Sequence, residues 1–92
     1  MSQMITEEML AFLKGQDFLR LGQSINKGNW QSVVMGCRRM QNRCKELGMN
    51  DFIKDLQRLQ DAAMHRETTA CKQILAGIVV KRVNLLKKAA EV

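Results

Sequence analysis

Cysteine, histidine and arginine are the side chains of this chain with the most chemistry to offer, and their spacing limits what they can do. Cys37, Cys44 and Cys71 form no Cys-x-x-Cys pair, and an odd number of cysteines does not make a disulfide framework. Cys37 and Cys44 are seven residues apart, which returns them to one face of a helix, where a reduced thiol behaves as a small hydrophobe. His65 is the sole histidine, with no clustered Cys, His or carboxylate beside it, so no metal or other cofactor is expected. No nucleophile stands at a fixed spacing from a base, and no glycine-rich loop could cradle a phosphate, so the expectation is not an enzyme. What remains is cationic. Arg38, Arg39, Arg43 and Lys45 crowd one stretch, with Met35 just before them, and such a cluster can bind anions or an acidic protein surface.

That stretch is Asn29 to Gly48, NWQSVVMGCRRMQNRCKELG, and it reads as one long amphipathic helix. Asn29 is a good N-cap, since its side-chain oxygen can accept a free N–H of the first turn. Gly48 suits the left-handed residue that stops a helix. Trp30, Val33, Val34, Cys37, Met40, Cys44 and Leu47 recur at steps of three and four, so they form the buried stripe. Gln31, Met35, Arg38, Asn42 and Lys45 occupy the opposite arc, with Arg39 and Arg43 beyond it.

The flanking sequence supplies further helices. Thr6 is expected to cap a first, short helix ending at Gly15, with Met9, Leu10 and Leu13 as its apolar edge. Asp17 is expected to cap a second, with Phe18, Leu21, Gly22 and Ile25 inward, Gly22 allowing close approach of a neighbour. Gly28 ends it, and Asn29 starts the central helix at once. Asn50 is expected to cap a fourth helix burying Phe52, Ile53, Leu56, Leu59 and Ala63. A polar break at His65–Arg66–Glu67 contains neither glycine nor proline. The last helix, about Thr68 to Ala89, is expected to bury Cys71, Ile74, Leu75, Ile78, Val79, Leu85 and Leu86. Links this short turn each helix back on the one before, which predicts an all-α, up-down four-helix bundle with an extra short N-terminal helix.

Composition agrees with that plan. A chain of 92 residues that is 46% apolar holds one modest core, so residues 1–92 are expected to form a single domain. Proline is absent and only six glycines occur, too few for the turns of an all-β fold. No apolar run approaches the roughly 20 residues that cross a bilayer. The first ten residues carry acids rather than the basic leader of a secretory signal, so a cytoplasmic, reduced protein is expected. The seven methionines are expected mainly to fill core gaps.

In this helical frame the sequence resembles the histidine phosphotransfer (HPt) domains of bacterial phosphorelays. Their signature runs from a Gly-Asp turn through an eight-residue spacer to His-x-aliphatic-Lys-Gly, then to a glycine ten residues after the histidine. Gly28–Asn29 stands at the turn and Gly48 at the later glycine, and counting from either reaches Arg38, with Met40 as the aliphatic position. A second such turn is echoed at Arg66–Glu67, and the likeness spans roughly residues 17–90. The resemblance implies a four-helix bundle that docks the receiver domain of a response regulator or hybrid kinase. It implies contact through Met35, Arg38, Arg39, Gln41, Asn42 and Lys45. The reactive residues have changed: Arg38 replaces the phosphoacceptor histidine, Gln41 the lysine that steadies the phosphate, and Asn42 the small glycine. A guanidinium stays protonated at physiological pH and cannot attack a phosphoryl group as imidazole does. The resemblance therefore implies docking without phosphotransfer.

Nucleic acid is the rival partner. A net charge of +6 and an arginine-rich helix suit phosphate contacts. Yet the chain has only three phenylalanines and one tryptophan, and Phe18, Trp30 and Phe52 all fall on apolar stripes, leaving little to stack on bases.

Overall fold

In a computed structural model the chain is described from residue 5 to residue 91, and its links explain its shape. Five helices follow one another: α1 (Glu7–Lys14), α2 (Asp17–Lys27), α3 (Trp30–Leu47), α4 (Asn50–Met64) and α5 (Thr68–Ala90). Three of the four links share one geometry. Gly28, Gly48 and Arg66 each take left-handed backbone, with φ of 69°, 72° and 55°. Each donates its N–H to a carbonyl of the helix just finished, and the next residue's N–H reaches back one carbonyl further. Asn29 N–H meets the Ser24 oxygen at 2.9 Å, Met49 the Cys44 oxygen at 2.9 Å and Glu67 the Ala62 oxygen at 3.0 Å. This paired closure satisfies carbonyls that a helix end leaves open. Asn29, Met49 and Glu67 then stand at the start of the following helix. The chain reverses at once.

The result is a ring of four helices: α3 packs on α2 and α4, α5 packs on α4 and α2, and α1 lies against α5. Phe12 of α1, Phe18 of α2 and Phe52 of α4 meet edge to face, with centroids 5.3 to 6.4 Å apart. That arrangement sets positive ring edges against negative faces. Arg82 of α5 lies over the Phe18 ring, 5.4 Å from its centroid, and donates Nε–H to the Leu13 carbonyl oxygen. One side chain thus joins α5 to α2 and to the end of α1. Lys81 joins α5 to α4 through Asp55 at 2.6 Å. Among the described residues no helix is long and apolar enough to cross a membrane.

Several expectations change in detail. Asp17 and Asn50 do not cap: each is the first residue of its helix, behind Gln16 and Met49, which make no side-chain cap bond. Asn50 is displaced because Met49 already closes the preceding helix. Gly22 is not a point of backbone approach, since a Cβ there would meet Leu75 Cδ2 at an ordinary 3.5 Å. The tight glycine is the buried Gly36, where a Cβ would lie 3.1 Å from Leu21 Cδ2. Phe12 joins the core, while Trp30, Val34 and Ile53 pack only partly buried at its edge. In α5 only Cys71 and Ile78 are fully covered; Val79 is exposed, with Val80 and Val83 beside it. Ile74, Leu75, Leu85 and Leu86 pack partly buried against the core, so periodicity picked the inner face of α5 and missed only at Val79, on its edge. Met40 and Met49 fill the core, but Met35 and Met64 are exposed. Residues 1–4, on which the leader argument partly rests and which include two of the methionines, lie outside the described residues.

Arg66 has a Cβ in a conformation that favours glycine. Arg66→Gly is expected to stabilise the protein by about 0.5–1 kcal/mol, because relief of the clash exceeds the added freedom of the unfolded chain. Urea denaturation checks this: a lower midpoint for the variant would show that the Arg66 side chain contributes more than its backbone strain costs.

Candidate functional site

Helix α3 has two faces, and its caps fix which is which. Asn29 Oδ1 accepts the Ser32 N–H at 3.3 Å, and Gly48 turns the chain at the other end. Between them Val33, Cys37, Met40, Cys44 and Leu47 are buried against the neighbouring helices. Burying a valine, methionine or leucine side chain this way stabilises by roughly 1.5–3 kcal/mol, so the stripe sets the helix's rotation. The arginines therefore face water.

The structure divides the six residues expected at the site. Met35, Arg38, Asn42 and Lys45 form one exposed row along α3, with Met35 58% exposed. Arg38 makes no ion pair among the described residues, where the pairs are Arg43–Glu46, Arg58–Asp55 and Lys81–Asp55. Arg39, one residue on, turns about 100° away and lines a groove between α2 and α3. Gln41 does not belong to the face. It is only 9% exposed, and its Nε2 donates to Gln60 Oε1 of α4 at 2.8 Å. The expected exposure fails because position 41 lies on the flank of α3 that packs against α4. A buried amide needs a partner there, and Gln60 is that partner.

Arg20 and Lys27 of α2 were not expected at the site, yet both line the groove with Arg39. They are seven residues apart and so share a face of α2. That signal was present in the sequence, but which neighbour the face borders depends on the closure of the ring.

The thiols lie apart from this surface. Cys37, Cys44 and Cys71 are free and buried. Burial pushes Cys37 up to about 12, helped by the neighbouring Cys71. It pushes Cys44 up to about 11, and raises Cys71, with Glu67 adding to the effect. Thiols held protonated are poor nucleophiles. His65 ends α4, exposed, with Nδ1–H donated to the Asp61 carbonyl oxygen at 2.8 Å. Among the described residues no three of His, Cys, Asp and Glu gather as metal ligands. The arrangement is suited to binding negative charge.

No protein-family model matches the sequence, and neither a curated protein nor a solved structure is significantly similar to it.

A raised thiol pKa ties stability to pH. Unfolded thiols ionise from about pH 8.5–9, whereas the buried ones keep their protons, so stability is full below that range and falls as pH rises towards 11–12. Each thiol adds up to about 1.4 kcal/mol per pH unit to that fall. Urea midpoints measured from pH 7.5 to 10.5 are expected to drop more steeply in the native protein than in Cys44→Ala. Parallel curves would contradict the assignment.

Proposed function

We propose that this protein is an HPt-like signalling module that docks a receiver-type domain through the Arg38 face without accepting phosphate itself. The observation that carries the reading is the position of Arg38. It stands unpaired and exposed on α3, nine residues after the Asn29 cap and ten before the left-handed Gly48, in a ring of four helices. An acidic phosphorylation pocket is the natural complement of a guanidinium presented this way. Met35 beside it offers an adaptable apolar contact, and Asn42 and Lys45 extend the row. Gln41 supports the bundle rather than the contact. The buried, protonated thiols and the single exposed imidazole leave the face without a nucleophile, in keeping with docking rather than transfer. A cytoplasmic setting goes with the proposal.

Titration of isotope-labelled protein with receiver domains tests the reading. Amide shifts are expected along Met35, Arg38, Asn42 and Lys45, and Arg38→Glu is expected to weaken binding by about tenfold or more, since it sets like charges against each other. Unchanged affinity in that variant would remove the proposed face. Arg38→His is expected to take up no phosphoryl group from a phosphorylated receiver, because Gln41 is turned into the α3–α4 contact and Asn42 replaces a glycine. Radiolabel appearing on that single variant would contradict this.

A further inference from the structure

The groove between α2 and α3 is a second basic surface, distinct from the Arg38 row and independent of the receiver reading. Its walls carry Arg20 and Lys27 from α2 and Arg39 from α3, and Asp17 is the one carboxylate that lines it. None of the three cations forms an ion pair or a side-chain hydrogen bond among the described residues, although the chain uses other acids in this way. Three unneutralised cations against one carboxylate leave the groove electropositive. The cost of that repulsion falls when an anion enters.

Between the charges the groove has an apolar floor of Leu21 and Met40, with Gly36 letting the two helices approach, and polar walls where Ser24 and Ser32 offer hydroxyls beside Gln23 and Asn29. Along α2 the groove runs from Asp17 to Lys27, about 15 Å at 1.5 Å per residue. Such a span matches about four or five residues of extended peptide. The helices run antiparallel, which puts Arg20 and Arg39 towards one end and Lys27 towards the other. A free phosphate would engage one end only. Nucleic acid has the charge but not the stacking partners: Phe12, Phe18 and Phe52 are buried, and no aromatic side chain lines the groove.

We propose that the α2–α3 groove binds an acidic peptide segment of a partner protein, with carboxylates at both ends meeting the Arg20–Arg39 pair and Lys27. The hydroxyls of Ser24 and Ser32 then accept or donate hydrogen bonds to the peptide backbone between those charges. Asp17 disfavours a carboxylate next to it, so the acidic side chains settle on the Arg39 side of that end.

The test is fluorescence anisotropy with a fluorescein-labelled six-residue peptide of alternating aspartate and serine, at low ionic strength. The full chain is compared with R20E/R39E, the milder R20Q/R39Q, and K87E/K88E on α5 as a charge-matched control. Binding is expected to weaken on the order of tenfold in R20E/R39E and measurably in R20Q/R39Q, with K87E/K88E and Arg38→Glu staying close to native. Circular dichroism on each variant confirms that the helices persist; the glutamine pair keeps the test open if the glutamate pair fails to fold. Equal weakening by K87E/K88E would overturn the proposal in favour of unspecific attraction. Absence of binding, or a single-stranded oligonucleotide of equal charge displacing the peptide from the groove, would also overturn it.

Discussion

One left-handed residue at each of the three links from α2 to α5 organises this protein. These links reverse the chain in two or three residues, and the same device is used each time. Gly28, Gly48 and Arg66 rotate the backbone so that the next N–H turns back on the finished helix, and the residue carrying that N–H opens the following one. Ending and starting share a residue, so no slack remains between helices. With the links so short, successive helices lie side by side, and the apolar stripes of α2 to α5 have a common interior to fill. The phenylalanine cluster and Arg82 then fasten α1 to that ring.

The sequence was legible where a residue's local role and its place in the fold coincide. Asn29, Gly28 and Gly48 act through their own backbone and neighbouring N–H groups, and the stripe of α3 repeats cleanly, so both were readable from spacing. Arg66 was not, because nothing in an arginine announces positive φ; only the closing hydrogen bonds on Ala62 and Ala63 impose it. Asp17 and Asn50 carry the right side chains for caps but sit one residue too late. At the site, Arg38 and its row follow from helix phase alone. Gln41 does not, since a polar residue on a flank is exposed or buried according to how closely the next helix packs. The grouping of Arg39 with Arg20 and Lys27 needed the third dimension. Val79 sits at the α2 edge of the α5 stripe, where phase alone does not say how far the neighbouring helix covers it, while Cys71, Ile74, Leu75, Ile78, Leu85 and Leu86 follow the expected face.

Charge is partitioned in the same economical way. Asp55 is half-enclosed between Lys81 and Arg58, and Glu46 holds Arg43, so these acids serve the bundle's own cations. Arg20, Lys27, Arg38 and Arg39 pair with none of them. Among the described residues the core beneath is neutral, with three buried thiols held protonated and the Gln41 amide bonded to Gln60 at its edge. The helices that carry these cations are held in place by their apolar stripes, so the basic surface is already organised before any ligand meets it.

The links belong to the folded core rather than to loops, and hydrogen exchange reads that directly. The N–H groups of Asn29, Met49 and Glu67 are hydrogen-bonded across the links to Ser24, Cys44 and Ala62. In native-state exchange these three amides are expected to open only with global unfolding, with the same denaturant dependence as the buried amides of α3. Rapid exchange at the three positions, while the centres of the helices stay protected, would contradict the account and make the ring a set of helices held by their side chains alone.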